Sequence, residues 1–182
     1  MIIGLNPGFG GDAEDGPYTQ SIPPEDSYLG NDPHRFKTEL QAIFDFDGGE
    51  RMLDGAVSTN FLFFRSVSMD DRSELSWGNV REGLRKHLEK FCLDELQNIV
   101  RMLRPKCILV VGLDAVNRYV SDPYVRLYRA ESQFHRLIVT GSLGGTECIG
   151  IPHLTGSRFK AFDKELMSIW LKQYFTLNAG RS

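Results

Sequence analysis

Three polar side chains stand where chemistry is possible: Asn6, Asn60 and His153. Each leaves the end of a stretch that reads as a strand, and each is flanked by Pro, Gly or aromatic residues. A carboxamide offers a donor and an acceptor, and an imidazole serves as either. Singly, each has an ordinary explanation. An Asn at a strand end is commonly a turn or cap residue, and a loop His is more often structural than catalytic. Together, at the carboxyl ends of neighbouring strands, they form a set that can hold a polar ligand, because ligands of open α/β sheets bind at that edge.

The elements that must present them are legible in outline. Met1-Ile2-Ile3 reads as a short buried strand that runs into Gly4-Leu5-Asn6-Pro7-Gly8. Gly4 and Gly8 permit close approaches that a Cβ would block. Pro7 fixes its own φ and pushes Asn6 towards an extended conformation. Residues 8 to 31 are rich in Gly, Pro, Asp and Ser and carry Phe9, Tyr18 and Tyr28. A loop of that length in a compact domain is usually functional or mobile. Asp32-Pro33 predicts a helix start, with Phe36, Leu40, Ile43 and Phe44 as its inward stripe. A second strand is expected over 56 to 60. A charged helix is expected over about 78 to 91, then a separate helix ending before Pro105.

Cys107-Ile108-Leu109-Val110-Val111-Gly112 predicts a strand buried on both faces. A short helix over 113 to 120 should follow. Residues 136 to 139 and 147 to 151 read as two short strands around Gly144-Gly145. The chain then passes through Ile151-Pro152-His153-Leu154-Thr155-Gly156-Ser157-Arg158 into a final helix with Phe159, Phe162, Leu166, Ile169 and Trp170 on one face. Strands alternating with helices imply a parallel α/β sheet covered on both sides. The expected organisation is one domain over residues 1–182.

With 182 residues, of which 41% are hydrophobic, the chain can bury the core of such a domain. A net charge of −3 gives no global field that would attract nucleic acid, although a local basic face remains open. Cys92, Cys107 and Cys148 are widely spaced, without a C-x-x-C pair. They read as reduced, buried thiols of a cytoplasmic protein rather than as metal ligands. No apolar run approaches the length of a membrane span, and no signal peptide is apparent. Neither a G-x-x-x-x-G-K-[ST] nor a G-x-G-x-x-G pattern occurs, which argues against a generic nucleotide-binding α/β protein.

The ordered series of motifs resembles the uracil-DNA glycosylase superfamily. Gly4-Leu5-Asn6-Pro7-Gly8 is similar to the G-[IM]-N-P-G motif of its mismatch-specific and single-strand-selective branches. Pro17-Tyr18 lies where those proteins carry a Pro-Phe pair, and Pro33-His34-Arg35-Phe36 resembles the start of their next helix. Thr59-Asn60 before Phe61-Leu62-Phe63-Phe64-Arg65 resembles their Asn-bearing strand end. Leu103-Arg104-Pro105-Lys106 before the strand ending at Gly112 is similar to the middle of the fold. His153 to Arg158 looks like the final motif. The similarity runs in order along nearly the whole chain.

The resemblance implies a three-layer α/β/α sandwich around a mainly parallel four-stranded sheet. It also implies hydrolysis of the N-glycosidic bond of uracil, or of a related damaged base, in DNA. The base must leave the stack before it can be attacked, and the site must stabilise the departing base anion. By the resemblance, Asn6 holds the attacking water and His153 donates to the uracil oxygen that gains charge. Asn60 reads the polar edge of the base and Tyr18 stacks on the ring. Gly4, Leu5, Pro7 and Gly8 shape the substrate-binding turn around Asn6. Thr155, Gly156, Ser157 and Arg158 take a backbone phosphate at the start of the last helix. The protein would work as a monomer on DNA, with no metal, no cofactor and no membrane. Leu154 replaces a common Pro, and Ser157 stands near the position of a wedging Leu in several branches. That departure favours single-stranded DNA. It also leaves an alternative: a catalytically silent protein of the same fold that binds single-stranded nucleic acid or a free base.

Overall fold

The computed structural model describes residues 1–5, 35–64, 76–129, 132–154 and 160–178. Among them are six strands and five α-helices in one α/β arrangement. β1 (Ile2–Gly4) is followed by α1 (Arg35–Ile43), α2 (Gly49–Asp54) and β2 (Ser58–Asn60). A 3-10 turn (Trp77–Asn79), α3 (Glu82–Leu103), β3 (Ile108–Val111) and α4 (Leu113–Tyr119) come next. β4 (Ser121–Arg129), β5 (Ser132–Leu143), β6 (Thr146–Ile151) and α5 (Ala161–Asn178) complete the chain.

The sheet order is β2-β1-β3-β6-β5-β4. Parallel ladders join β2, β1, β3 and β6, whereas β5 and β4 are added antiparallel. The α/β class expected from the sequence is therefore observed. The expected four-stranded sheet is corrected to a six-stranded mixed one. Two features account for the difference. The Gly144-Gly145 turn has positive φ at both glycines, as a tight hairpin requires; β6 matches the expected 147 to 151 to within one residue, but β5 is three times as long as the expected 136 to 139. β4 escaped the sequence reading altogether. Val125 and Leu127 are half-buried between exposed Tyr124, Arg126 and Tyr128, but a register shift between them turns Val125 to the α3–α4 side and Leu127 to the α5 side.

Two helices expected around residues 78 to 103 are one 22-residue helix, α3. Its charged first half and apolar second half share one continuous inner stripe ending in Cys92, Leu96 and Val100. Arg104 then turns into a left-handed conformation with φ of 46°, and Pro105 prevents further helix. The short α2 was also unforeseen, because Gly48-Gly49 reads as a terminator and here begins a helix instead. The expected helix start at Asp32-Pro33 lies outside the described residues.

Alternation along the strands builds a core on each side of the sheet. Ile2, Leu109, Val111, Ile149 and Ile151 pack against α1, α2 and α5 through Leu40, Ile43, Leu53, Met167 and Leu171. On the opposite face Ile3, Ile108, Val110 and Cys148 pack against α3 and α4 through Leu96, Val100, Ala115 and Val116. α4 approaches β6 closely because Gly150 lacks a side chain. A Cβ there would stand 2.3 Å from Val116 Cγ2. Val116 is buried and cannot swing away. Gly150→Ala is therefore expected to cost about 1–3 kcal/mol as an overpacked core site. Thermal unfolding checks this, and adding Val116→Ala should recover part of the loss. An unchanged melting temperature for the single variant would refute the close packing.

Candidate functional site at the carboxyl edge of the sheet

The four parallel strands bring their carboxyl ends to one edge. β1 sends the chain to α1 and α2 on one face, while β3 sends it to α4 on the other. The strand order therefore reverses between β1 and β3, and it is outside the carboxyl ends of strands at such a switch point that open α/β sheets bind ligands. Leu5 leaves β1 and Gly112 leaves β3 at this switch point. The Gly112 N–H donates to the Ile151 carbonyl at 2.8 Å, tying the ends of β3 and β6 together. Gly112 has φ of 112°, a conformation that favours glycine.

Asn60 is built into this edge by its neighbours. It is the register partner of Gly4. Beyond the strand ends, Phe61 N–H donates to the Gly4 carbonyl and Leu62 N–H to the Leu5 carbonyl, both at 2.9 Å. Phe61 is buried and stacks on Tyr119 with ring centroids 4.6 Å apart. Asn60 is thus held by a buried residue on its carboxyl side and a ladder on its flank. Its carboxamide lies across Gly4: a Cβ at Gly4 would stand 2.6 Å from Asn60 Oδ1. Among the described residues no hydrogen bond engages that carboxamide. The residue is half-buried.

Gly4→Ala tests this arrangement directly. The new methyl meets the far end of a flexible side chain, so the fold should survive with less than about 1 kcal/mol lost. The carboxamide must move, and a displacement near 1 Å at a reacting site costs up to about 100-fold in rate. The expected result is a near-native melting temperature with activity on the substrate proposed below reduced at least about tenfold. Native activity in the variant would remove Asn60 from the site.

His153 follows β6 after Pro152 and is solvent-accessible, while Ile151 and Leu154 on either side are buried. Partial burial of the ring lowers its pKa from the usual 6.5, so the imidazole is neutral at pH 7. β6 lies two strands from β1 and three from β2. Strand spacing alone separates them by about 10 and 14 Å, a gap that side chains and a ligand between them can bridge. Gly4, Leu5, Asn60 and His153 therefore share one edge, and Asn60 is brought against Gly4. Asn6, Pro7, Gly8, Tyr18, Thr155, Gly156, Ser157 and Arg158 lie outside the described residues.

The thiols do not offer a nucleophile. Burial pushes Cys107 up to about 11 and Cys148 up to about 12, and burial also raises Cys92. Among the described residues no three His, Cys, Asp or Glu side chains gather as a metal site, and no helix is long and apolar enough to cross a membrane.

The sequence reading missed a second feature of this edge. Val139 pairs with Gly150 near the end of β6, and β5 extends from there back to Ser132. β4 accompanies it, with Arg129 opposite Ser132. The paired strands overhang the edge by about 20 Å, at 3.4 Å per residue. Arg129 fastens this arm to the first turn of α5. Its Nε and a terminal guanidinium nitrogen donate to the two Asp163 carboxylate oxygens at 3.1 and 2.8 Å. Asp163 is 1% exposed and also accepts the Lys160 N–H at 2.9 Å.

No protein-family model matches the chain, and no curated protein or solved structure does either.

Proposed function

We propose that this chain is a DNA glycosylase-like hydrolase that cleaves the N-glycosidic bond of uracil or a related damaged base. The observation that carries the reading is the Asn60 carboxamide laid over Gly4 and without a hydrogen bond among the described residues, on the same carboxyl edge as a neutral His153. The parallel run β2-β1-β3-β6 supports a uracil-DNA glycosylase-like core, extended here by the β5–β4 pair. The ordered motif resemblance supplies the substrate class.

In this mechanism the Asn60 carboxamide donates to and accepts from the polar edge of an extruded pyrimidine. A neutral His153 donates its single N–H to the oxygen that gains charge as the base departs. Its lowered pKa suits that role, because the ring acts as a hydrogen-bond donor and keeps its proton. Asn6 orients the attacking water. An amide is a weak base, which suffices where the bond to the base is largely broken before water attacks. Tyr18 stacks on the base, and Thr155 to Arg158 hold a phosphate.

The experiment is incubation with single- and double-stranded oligonucleotides carrying one uracil, followed by alkali. Uracil-dependent strand cleavage is expected, stronger on single strands because Ser157 replaces the wedging residue. If both substrates stay intact while a glycosylase control cuts them, the hydrolase reading fails. Retained binding to those strands would then favour a silent binding protein of the same fold.

A further inference from the structure

We propose that the cleft at the amino edge of the sheet binds a free, single-chain amphiphile, with its alkyl chain inside and its anionic head at the rim with Arg51 and Lys106. This site lies at the opposite end of the strands from Asn60 and His153, and it does not rest on the function proposed above. Ala56 and Val57 lead into β2 and Cys107 leads into β3, so the amino ends of neighbouring strands form one wall. α2, the last turns of α5 and the turn at Pro105 supply the others. The cleft has a volume of about 470 Å³, within the range of small-molecule sites. Its floor is apolar and buried, with Ile2, Leu53, Leu109 and Ile149 contributing most of it.

Charge and shape select the occupant. Met52, Val57 and Leu103 stand exposed around the cleft, and large side chains left open at a hollow favour an apolar guest. Arg51 and Lys106 are the charged side chains of the lining. Both are exposed, and neither side chain forms an ion pair or hydrogen bond among the described residues. No carboxylate lines the cleft, and burial keeps Cys107 a neutral thiol. An apolar hollow with two unmatched cations at its mouth complements an apolar body that ends in a negative charge. Phe44 and Phe175 pack on one another, with ring centroids 6.3 Å apart and planes tilted by 40°. They do not flank a slot for a planar ring, so a flexible alkyl chain fits this lining better than an aromatic body.

The test is titration calorimetry of the full chain with hexanoate, octanoate and decanoate, each below its micelle-forming concentration, and with decanol as the neutral counterpart. Saturable binding is expected, tightening about three- to fourfold for each added methylene. Decanoate should bind more tightly than decanol. Arg51→Gln combined with Lys106→Gln should weaken decanoate about threefold or more and leave decanol unchanged. Both side chains are exposed, so this variant should melt near the native temperature. Ala56→Leu, which fills part of the hollow, should weaken both ligands. The proposal is overturned by an absence of saturable decanoate binding, by affinity that ignores chain length or the charged head, or by wild-type decanoate affinity in the double Gln variant. Sedimentation of the ligand-free protein tests the competing occupant: a dimer abolished by Val57→Glu would assign the cleft to a second copy and also overturn the proposal. Uracil excision is scored separately and should be equal with and without decanoate, so the failure of either reading leaves the other standing.

Discussion

His153→Ala should reduce uracil excision by about 100- to 1000-fold, the usual consequence of removing one donor to a developing anion. The side chain is solvent-accessible, so truncation leaves the packing of Ile151 and Leu154 intact. Single-turnover rates on a uracil-containing single strand measure the loss, and a decrease of under about threefold would exclude the proposed donor role. The pH dependence gives a second readout. Partial burial lowers the folded-state pKa of His153 below 6.5. Between that lowered value and 6.5 the unfolded chain binds more protons than the native one. Stability therefore rises with pH across this window and is lost as pH falls through it. His153→Gln should flatten that part of the stability profile. Excision should fall over the lower end of the same window, as the neutral ring becomes charged.

Arg129→Met should lower stability by about 3–5 kcal/mol, because it strands the Asp163 carboxylate in the protein interior without its cation. For a chain of this size that corresponds to a fall of about 10 °C in melting temperature. Asp163 keeps the Lys160 N–H, so some compensation remains. A double variant, Arg129→Met with Asp163→Leu, should recover much of the loss by removing the stranded charge. A single-variant melting temperature within about 2 °C of native would mean that the pair contributes nothing net. The arm joins the rest of the molecule through this pair, the β5–β6 ladder and apolar contacts of Leu127 and Val125.

The inner strands were legible because burial on both faces leaves a local trace. Cys107 to Gly112 is a continuous apolar run bounded by Pro and Gly, and it forms β3 within one residue of the expected limits. Gly144-Gly145 likewise marks its turn by composition, since only glycine takes two successive positive φ values cheaply. β4 was missed for the opposite reason. As an edge strand it exposes Tyr124, Arg126 and Tyr128, and Pro123 near its start disguises it as a loop. The break expected within α3 failed because charge on an outer face says little about whether the inner stripe continues.

Local chemistry alone determined that strands end at Asn60 and before His153, that Gly4 must be small, and that a long apolar segment would lie at the centre of the sheet. Those are properties of neighbouring residues, and the sequence records them directly. Only the tertiary structure decided that Asn60 rests on Gly4, that the strand order reverses between β1 and β3, and that an arm clamped by Arg129 and Asp163 overhangs their edge of the sheet. Such contacts join residues 34 to 56 positions apart. They depend on strand order and register, which follow from how both faces of the sheet are buried rather than from any short stretch of chain.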